Sequence, residues 1–104
     1  MIVSNMKIKG TEIIRLWNEA KEMVQNIPNE MYADDYINRT SKFKTTNSIY
    51  GICYFKPRNY NITFRITNYR KENWSMTEYV GLLWNATQIR YIKPNEDYYV
   101  ELTI

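Results

Sequence analysis

A strict alternation of apolar and polar side chains from Tyr60 to Thr67, within a predicted strand from Tyr60 to Tyr69, is the feature that most constrains the fold. The apolar positions are Tyr60, Ile62, Phe64 and Ile66, and the polar positions are Asn61, Thr63, Arg65 and Thr67. Successive side chains of a β-strand point to opposite faces of its sheet. The segment therefore predicts a strand with one buried face and one polar, basic face.

Two further strands are predicted just before this one. They cover Lys42 to Thr46 and Ile49 to Lys56, with Asn47 and Ser48 forming the turn between them. The loop from Lys56 to Asn59 contains a proline and reads as the next turn, so we expect Lys56 and Arg58 at a hairpin tip.

Two amphipathic helices are predicted. Thr11 is a plausible N-cap for a helix that ends near Ile27, before Pro28. Its apolar face consists of Ile13, Ile14, Trp17, Ala20, Met23, Val24 and Ile27, at spacings of three and four. The pair Ser75 and Glu78 has the spacing of a capping box and predicts a second helix to about Ala86. Its stripe would be Met76, Tyr79, Val80 and Leu83.

The remaining segments complete an α+β fold. Met6 to Lys9 predicts a short strand, and Glu30 to Asn38 is ambiguous with a short helical turn as one option. Gln88 to Lys93 and Tyr98 to Ile104 read as a closing hairpin. We therefore expect one domain over residues 1–104, with a mainly antiparallel sheet of about five strands and two helices packed on one face.

Charge is distributed very unevenly along the chain. From Tyr36 to Lys71 there are eight basic and eight aromatic residues and no acid. This segment carries a formal charge of +8, whereas the rest of the chain, with 6 bases and all 11 acids, carries −5. Such asymmetry indicates a surface that meets an anionic partner, and bases interleaved with aromatics can grip phosphates and stack nucleobases.

The candidate binding residues come from this basic, aromatic segment. They are Lys42, Lys44, Tyr50, Tyr54, Lys56, Arg58, Arg65, Tyr69, Arg70 and Lys71. Because side chains alternate along a strand, only part of this set can face one ligand. The alternative interpretation is a sheet whose solvent face carries Lys and Arg while its aromatic residues fill the core.

The sequence lacks the residues of most catalytic and metal sites. There is no histidine, and Cys53 is the single cysteine, which we expect to be a small buried side chain. The three glycines are too scattered for a phosphate-binding loop. The adjacent acid pairs, Asp34–Asp35 and Glu96–Asp97, fit turns better than a Mg²⁺-dependent nuclease, which stays an alternative. We therefore predict no enzymatic activity, no metal and no cofactor.

Residues 40–88 are similar in layout to the SprT-like zincin metallopeptidase domain. Ile49 to Tyr54, with Gly51 and Cys53, looks like the family's hairpin, and Asn61 to Ile66 looks like its next strand. Leu82 to Gln88 falls where that family has the zinc-binding helix.

The resemblance places unsuitable residues at the catalytic positions. Trp84 and Gln88 stand where the family has its two histidine zinc ligands, and Asn85 stands at the catalytic glutamate. Tryptophan binds no zinc, glutamine binds it poorly, and asparagine is no general base. The resemblance thus implies a non-catalytic scaffold retained for binding, in a family associated with DNA.

These observations favour a small non-catalytic binding protein of the inhibitor type. It would dock its basic, aromatic sheet surface on an acidic protein or nucleoprotein. Small phage proteins that block host defences, including anti-CRISPR proteins, are often single domains of this size without motifs, which is an analogy of size and style. Direct binding of DNA or RNA, on a degenerate SprT-like scaffold, is the alternative.

The sequence also suggests where the protein acts. The first nine residues lack the apolar core of a signal peptide, and no stretch approaches 18 consecutive apolar residues. With a single cysteine no intramolecular disulfide can form. We therefore expect a cytoplasmic protein without a membrane partner.

Overall fold

Seven strands and two α-helices make up the part of the chain that the computed structural model describes, residues 3–49, 51–67, 75–82 and 85–103. In chain order they are β1 (Val3–Lys9), α1 (Gly10–Gln25), α2 (Ala33–Arg39), β2 (Phe43–Ile49), β3 (Ile52–Pro57), β4 (Thr63–Thr67), β5 (Ser75–Leu82), β6 (Asn85–Gln88) and β7 (Asp97–Thr103). A 3-10 helix at Ile89–Tyr91 follows β6.

The strands form two antiparallel sheets. The larger sheet has five strands in the order β2-β3-β4-β5-β6, and β1 pairs with β7 in a separate ribbon. The predicted α+β class, with a five-stranded antiparallel sheet and two helices, is confirmed. Within the described parts of the chain, no helix combines the length and the apolar character needed to cross a membrane.

One face of the large sheet, here called the inner face, packs against α1 and α2. Trp17 on α1 is 6% exposed, and its ring meets the ring of Phe64 on β4 edge-on at 5.5 Å between centroids. The central buried residues are Ile13, Leu16, Trp17, Ala20, Ile37, Phe43, Phe55, Phe64, Ile66, Val80 and Val100. The alternation predicted for β4 is confirmed, since Ile62, Phe64 and Ile66 are fully buried.

The first helix is confirmed with shifted ends. It begins at Gly10, and Lys9 occupies the N-cap position predicted for Thr11. Main-chain carbonyls of Glu96 and Pro94 accept hydrogen bonds from the N–H groups of Gly10 and Thr11, at 2.9 and 3.2 Å. The loop before β7 therefore satisfies donors that a capping side chain usually satisfies.

The prediction of a helix from Ser75 to about Ala86 is wrong, because Ser75–Leu82 is strand β5 and Asn85–Gln88 is strand β6. Ser75 lies opposite Thr67 in the ladder with β4 and does not begin a helix. Val80 lies opposite Phe64, and both side chains are fully buried. Pairing with the preceding strand β4 thus overrides a local spacing that fitted a helix. The second helix is instead α2, in the segment that the sequence left ambiguous.

The prediction of a closing hairpin is also wrong. Strand β7 pairs with β1 along its whole length, from Lys9 opposite Asp97 to Val3 opposite Thr103. The segment predicted as its partner ends its extended part at Gln88 and continues into the 3-10 helix. Ile8 on β1 and Val100 on β7 bury their side chains in the common core.

Two turn predictions need correction. Asn47 and Ser48 belong to β2, which continues to Ile49. The described turn residue after it is Gly51, whose φ of 78° lies in the left-handed region that glycine adopts without steric cost. Lys56 is not at a hairpin tip but inside β3, where it is only 8% exposed.

Candidate functional site: the outer face of the sheet

The candidate site is the face of the large sheet turned away from the helices, here called the outer face. Direct cross-strand neighbours share a face of an antiparallel sheet. Lys44 on β2 lies opposite Lys56 on β3, and Tyr54 on β3 lies opposite Arg65 on β4. Tyr79 on β5 joins this face through its contacts with Tyr54 and Arg65.

An arginine stacked on a tyrosine lies on β4, the middle strand of the outer face. The guanidinium carbon of Arg65 lies 5.0 Å from the centroid of the Tyr79 ring, which is within the range of a cation–π contact. The rings of Tyr54 and Tyr79 meet edge-on, with 6.4 Å between centroids. These contacts orient a half-buried cation on the face that is not used for the core.

Irregular pairing on both sides of Tyr54 and Arg65 shapes this centre. On β5, three residues from Thr77 to Tyr79 span the interval that Arg65 alone spans on β4. On β2, Thr46 is an extra residue opposite the step from Phe55 to Tyr54. Bulges redirect side chains and are frequent beside functional sites.

A pocket opens beside Arg65, towards the β6 edge of the sheet. It has a volume of about 320 Å³ and is lined by Arg65, Tyr79, Ala86, Thr87 and Gln88. Gln88 lies directly opposite Tyr79 in the β5–β6 ladder. The volume is near the lower limit of small-molecule sites and accommodates one side chain of a partner.

Gly81 makes room for the Tyr79 ring. A Cβ atom at Gly81 would lie 3.1 Å from the Tyr79 hydroxyl oxygen and 3.2 Å from Cβ of Thr63. The ring of Tyr79 therefore lies along its own strand over the glycine, a position in which it also supports the Arg65 guanidinium.

Lys56 is a structural residue of this region. Its ammonium donates a hydrogen bond to Oδ1 of Asn61 at 2.7 Å, and Nδ2 of Asn61 donates to Oε2 of Glu101 at 2.8 Å. Burial lowers the pKa of Lys56, and the neighbouring charge of Lys44 lowers it further, whereas Glu101 raises it. These hydrogen bonds connect β3 to β7 through Asn61. Of the cross-strand pair Lys44 and Lys56, Lys44 is therefore the exposed member.

Two of the predicted binding cations lie elsewhere and have internal partners. The ammonium of Lys42 forms an ion pair with Glu19 on α1, with 2.8 Å between Nζ and Oε1. Arg58 donates hydrogen bonds to the main-chain carbonyls of Asn38 and Thr40, at 3.0 and 3.1 Å from Nη2. Arg58 thus satisfies carbonyls at the C-terminal end of α2, where a cation also complements the helix dipole.

The predicted set therefore divides into three parts. The structure brings together Lys44, Tyr54, Lys56 and Arg65 on the outer face, and it places Lys42 and Arg58 beside the helices. Tyr50, Tyr69, Arg70 and Lys71 lie outside the described residues.

Sequence reasoning missed Tyr79 and the β6 part of the pocket. The predicted helix assigned Tyr79 to its apolar stripe, and Ala86, Thr87 and Gln88 were not among the candidate binding residues. Two signals favoured a strand: the residues Thr77, Tyr79 and Val80 have strand propensity, and Gly81 is unfavourable inside a helix.

The other residues considered for chemistry have structural positions. Cys53 is buried, as predicted, and this burial raises the pKa of its thiol. Asp34 and Asp35 lie in the first turn of α2, and Asp97 forms an ion pair with Lys9 at 3.1 Å. Over the described ranges, no three His, Cys, Asp or Glu side chains come together as a metal-binding group.

No family model, curated protein or solved structure matches the chain. The resemblance to the SprT-like domain therefore stays a prediction. Of the segment that it aligned with a zinc-binding helix, Asn85–Gln88 forms strand β6.

Proposed function

We propose that this protein is a non-catalytic binding protein of the inhibitor type, which docks the outer face of its sheet on an acidic surface of a protein or nucleoprotein. The cluster in which Arg65 stacks on Tyr79 and Tyr79 contacts Tyr54 is the observation that carries this proposal. Arginine and tyrosine are the residues that most often anchor protein interfaces.

Electrostatics favour an acidic partner. Arg65 and the exposed Lys44 place positive charge on the outer face, beside two aromatic rings that supply contact area. Complementary charge raises the rate at which partners meet and excludes partners of the wrong sign. An anti-defence protein of a phage, of the anti-CRISPR kind, would act by such occlusion of a host protein.

The same geometry favours a protein over free nucleic acid. Nucleic-acid binding at physiological salt relies on several simultaneous phosphate contacts. Lys42 and Arg58, two of the cations predicted for that role, are engaged by Glu19 and by the end of α2. The outer face is therefore better suited to a compact acidic patch.

A capture experiment with charge-matched variants tests the proposal. The protein is immobilised and exposed to a nuclease-treated bacterial lysate, and the captured protein is identified, purified and used for binding kinetics. We expect the double variant Lys44→Gln/Arg65→Gln to associate with it about tenfold more slowly at low salt, because electrostatic steering is lost.

The control removes the same charge elsewhere. Lys21 on α1 and Arg39 on α2 are exposed, and both helices pack on the inner face. Lys21→Gln/Arg39→Gln should associate at nearly the wild-type rate. Equal slowing by both double variants would contradict docking through the outer face, and loss of capture after nuclease treatment would favour nucleic-acid binding instead.

A further inference from the structure

Strand β1 lies at the edge of its sheet, and the ladder shows which of its main-chain groups point outward. Among the described strands, β1 pairs with β7 only. Directly after β1, the N–H of Gly10 donates a hydrogen bond to the carbonyl of Glu96 at 2.9 Å. In an antiparallel ladder, residues that bond to the partner strand alternate with residues whose N–H and C=O point away from it. Counted back from Gly10, Asn5 and Lys7 therefore point away from β7.

The same alternation is visible on β7. Glu101 lies opposite Asn5, so its main-chain groups should also point away from the ladder. Its carbonyl accepts a hydrogen bond from the N–H of Asn61 at 2.9 Å, in agreement with this assignment. The β7 edge of the ribbon thus has a partner within the protein, and the opposite edge is formed by β1.

The outer edge of β2, in the large sheet, is also covered. Oδ1 of Asn38 accepts a hydrogen bond from the N–H of Thr45 at 2.9 Å, and the hydroxyl of Thr40 accepts one from the N–H of Phe43 at 3.3 Å. Both accepting side chains come from the C-terminal end of α2. Proteins protect sheet edges by such means because an unpaired edge can accept another strand.

The outward groups of Asn5 and Lys7 differ from those on these two edges. Within the described part of the chain, no atom hydrogen-bonds to the outward N–H and C=O of either residue. The side chains of both residues are exposed. The edge therefore presents two donors and two acceptors in the alternating order that an added strand requires.

Charge at this edge indicates which kind of strand fits. The ammonium of Lys9 pairs with Asp97 at 3.1 Å, whereas Lys7 forms no ion pair with the residues that the structure describes. A second copy of β1 would bring its own Lys7 and Lys9 to the same face, and lysine on an edge strand disfavours such self-pairing. An aspartate or glutamate beside Lys7 would be stabilised instead, because opposite charges on neighbouring strands attract.

The other face of the same edge is apolar. Met6 lies between Asn5 and Lys7 in the chain and is partly buried against the core, and the next inward residue, Ile8, is buried. Successive side chains of an added strand alternate between the two faces. An apolar side chain next to the acidic one would therefore extend the core beside Met6.

We propose that the edge of β1 accepts an extended, acidic segment of a partner polypeptide as an added strand, with an acidic side chain beside Lys7 and an apolar one beside Met6. Main-chain hydrogen bonds supply the affinity of such strand addition, and alternate side chains supply its specificity. The inference goes beyond the proposed function, because β1 belongs to the β1–β7 ribbon and not to the outer face of the large sheet.

Hydrogen exchange of the main-chain amides tests the proposal residue by residue. In the protein alone, Asn5 and Lys7 should exchange at least tenfold faster than Met6 and Ile8, whose N–H groups bond to β7. Isotope-labelled protein is then saturated with the peptide Thr-Val-Thr-Val-Glu-Val-Thr, blocked at both ends. We expect saturable shifts of the Asn5 and Lys7 amide signals and at least tenfold slower exchange of both amides, with little change at Met6 and Ile8.

Two control peptides separate the main-chain bonds from the charge. The same peptide with an N-methyl group on its glutamate keeps the charge and loses the N–H that would bond to β1, so it should bind at least tenfold more weakly. The peptide with lysine in place of glutamate keeps its N–H groups and brings a like charge beside Lys7. It should bind several-fold more weakly.

Charge reversal on the protein provides the matched variants. Lys7→Glu should bind the lysine peptide more tightly than the glutamate peptide, whereas Lys21→Glu, at an exposed position of α1, should keep the wild-type order. Lys44→Gln/Arg65→Gln should leave the affinity for the glutamate peptide unchanged. Failure at the β1 edge and failure of docking through the outer face are therefore distinguishable.

Several results would overturn strand addition at β1. These are no saturable binding of the glutamate peptide, equal binding of its N-methylated form, or an unchanged order of the peptides in a folded Lys7→Glu variant. Dimerisation of the protein alone, measured by sedimentation and accompanied by slow exchange at Asn5 and Lys7, would also overturn it and assign the edge to a second copy.

Discussion

Replacement of Trp17 by alanine is expected to lower the free energy of unfolding by about 3–5 kcal/mol, the usual cost of removing a large buried aromatic side chain. The Trp17 side chain connects α1 to the inner face through its edge-on contact with Phe64. Since small domains are stable by only about 5–15 kcal/mol, this loss is a large fraction of the total. Urea denaturation followed by circular dichroism measures it.

Lys21 provides the control on the same helix. Its side chain is exposed, so Lys21→Ala should change the free energy of unfolding by less than about 0.5 kcal/mol. If Trp17→Ala shifts the denaturation midpoint no more than Lys21→Ala does, α1 does not dock through this face.

A methyl group at Gly10 is expected to be the second most damaging small change. The Cβ atom of alanine there would lie 2.0 Å from the carbonyl oxygen of Lys93, and the contact involves main-chain atoms that cannot rotate away. Relief requires the start of α1 to separate from the loop, which weakens the hydrogen bonds to Glu96 and Pro94. We expect Gly10→Ala to cost about 3 kcal/mol in unfolding free energy.

The same glycine-to-alanine change at Gly81 is the matched comparison. The nearest atom to a Cβ there is the Tyr79 hydroxyl oxygen at 3.1 Å, at the far end of a side chain. In addition, alanine loses less conformational freedom than glycine when a strand forms. Gly81→Ala should therefore stay within about 1 kcal/mol of the wild type. A Gly10→Ala variant as stable as Gly81→Ala would show that the loop does not pack on the helix as described.

The sequence correctly predicted those elements whose own apolar pattern determines which of their faces is buried. The alternation in β4 and the apolar stripe of α1 each report a face that meets the core, so both were found from sequence. Leu16 was missed although it is buried, because it lies beside the predicted stripe. The first residue of α1 was missed because the loop before β7, far along the chain, satisfies the first N–H groups of the helix.

Elements whose conformation or partner depends on strand pairing could not be predicted from their own apolar pattern. Strand β5 has spacings of three and four and a Ser75–Glu78 pair, which are helix signals, yet β4 and β6 hold it in the sheet. Strand β7 pairs with β1 at the other end of the chain, whereas a nearby hairpin looked simpler. The partner of β7 lies far along the sequence, whereas the partners of β5 are its neighbouring strands, and in both cases pairing outweighs a local preference.

The candidate site was likewise predicted only in part from the sequence. Alternation correctly put Arg65 on the polar face of its strand, but the sequence could not show that Lys42 and Arg58 have partners inside the protein. Tyr79 became part of the site only once β5 was known to be a strand. The run of basic residues thus supplied the candidate residues, whereas the fold determines which of their side chains lie close together.

Binding through the outer face is tested most directly by the side-chain resonances of the protein with its captured partner. We expect the Tyr54 and Tyr79 ring signals and the Arg65 Nε–H signal to shift or broaden on addition of the partner, while the indole signal of the buried Trp17 stays in place. Perturbation confined to exposed side chains of α1, with Tyr54, Arg65 and Tyr79 unchanged, would contradict it.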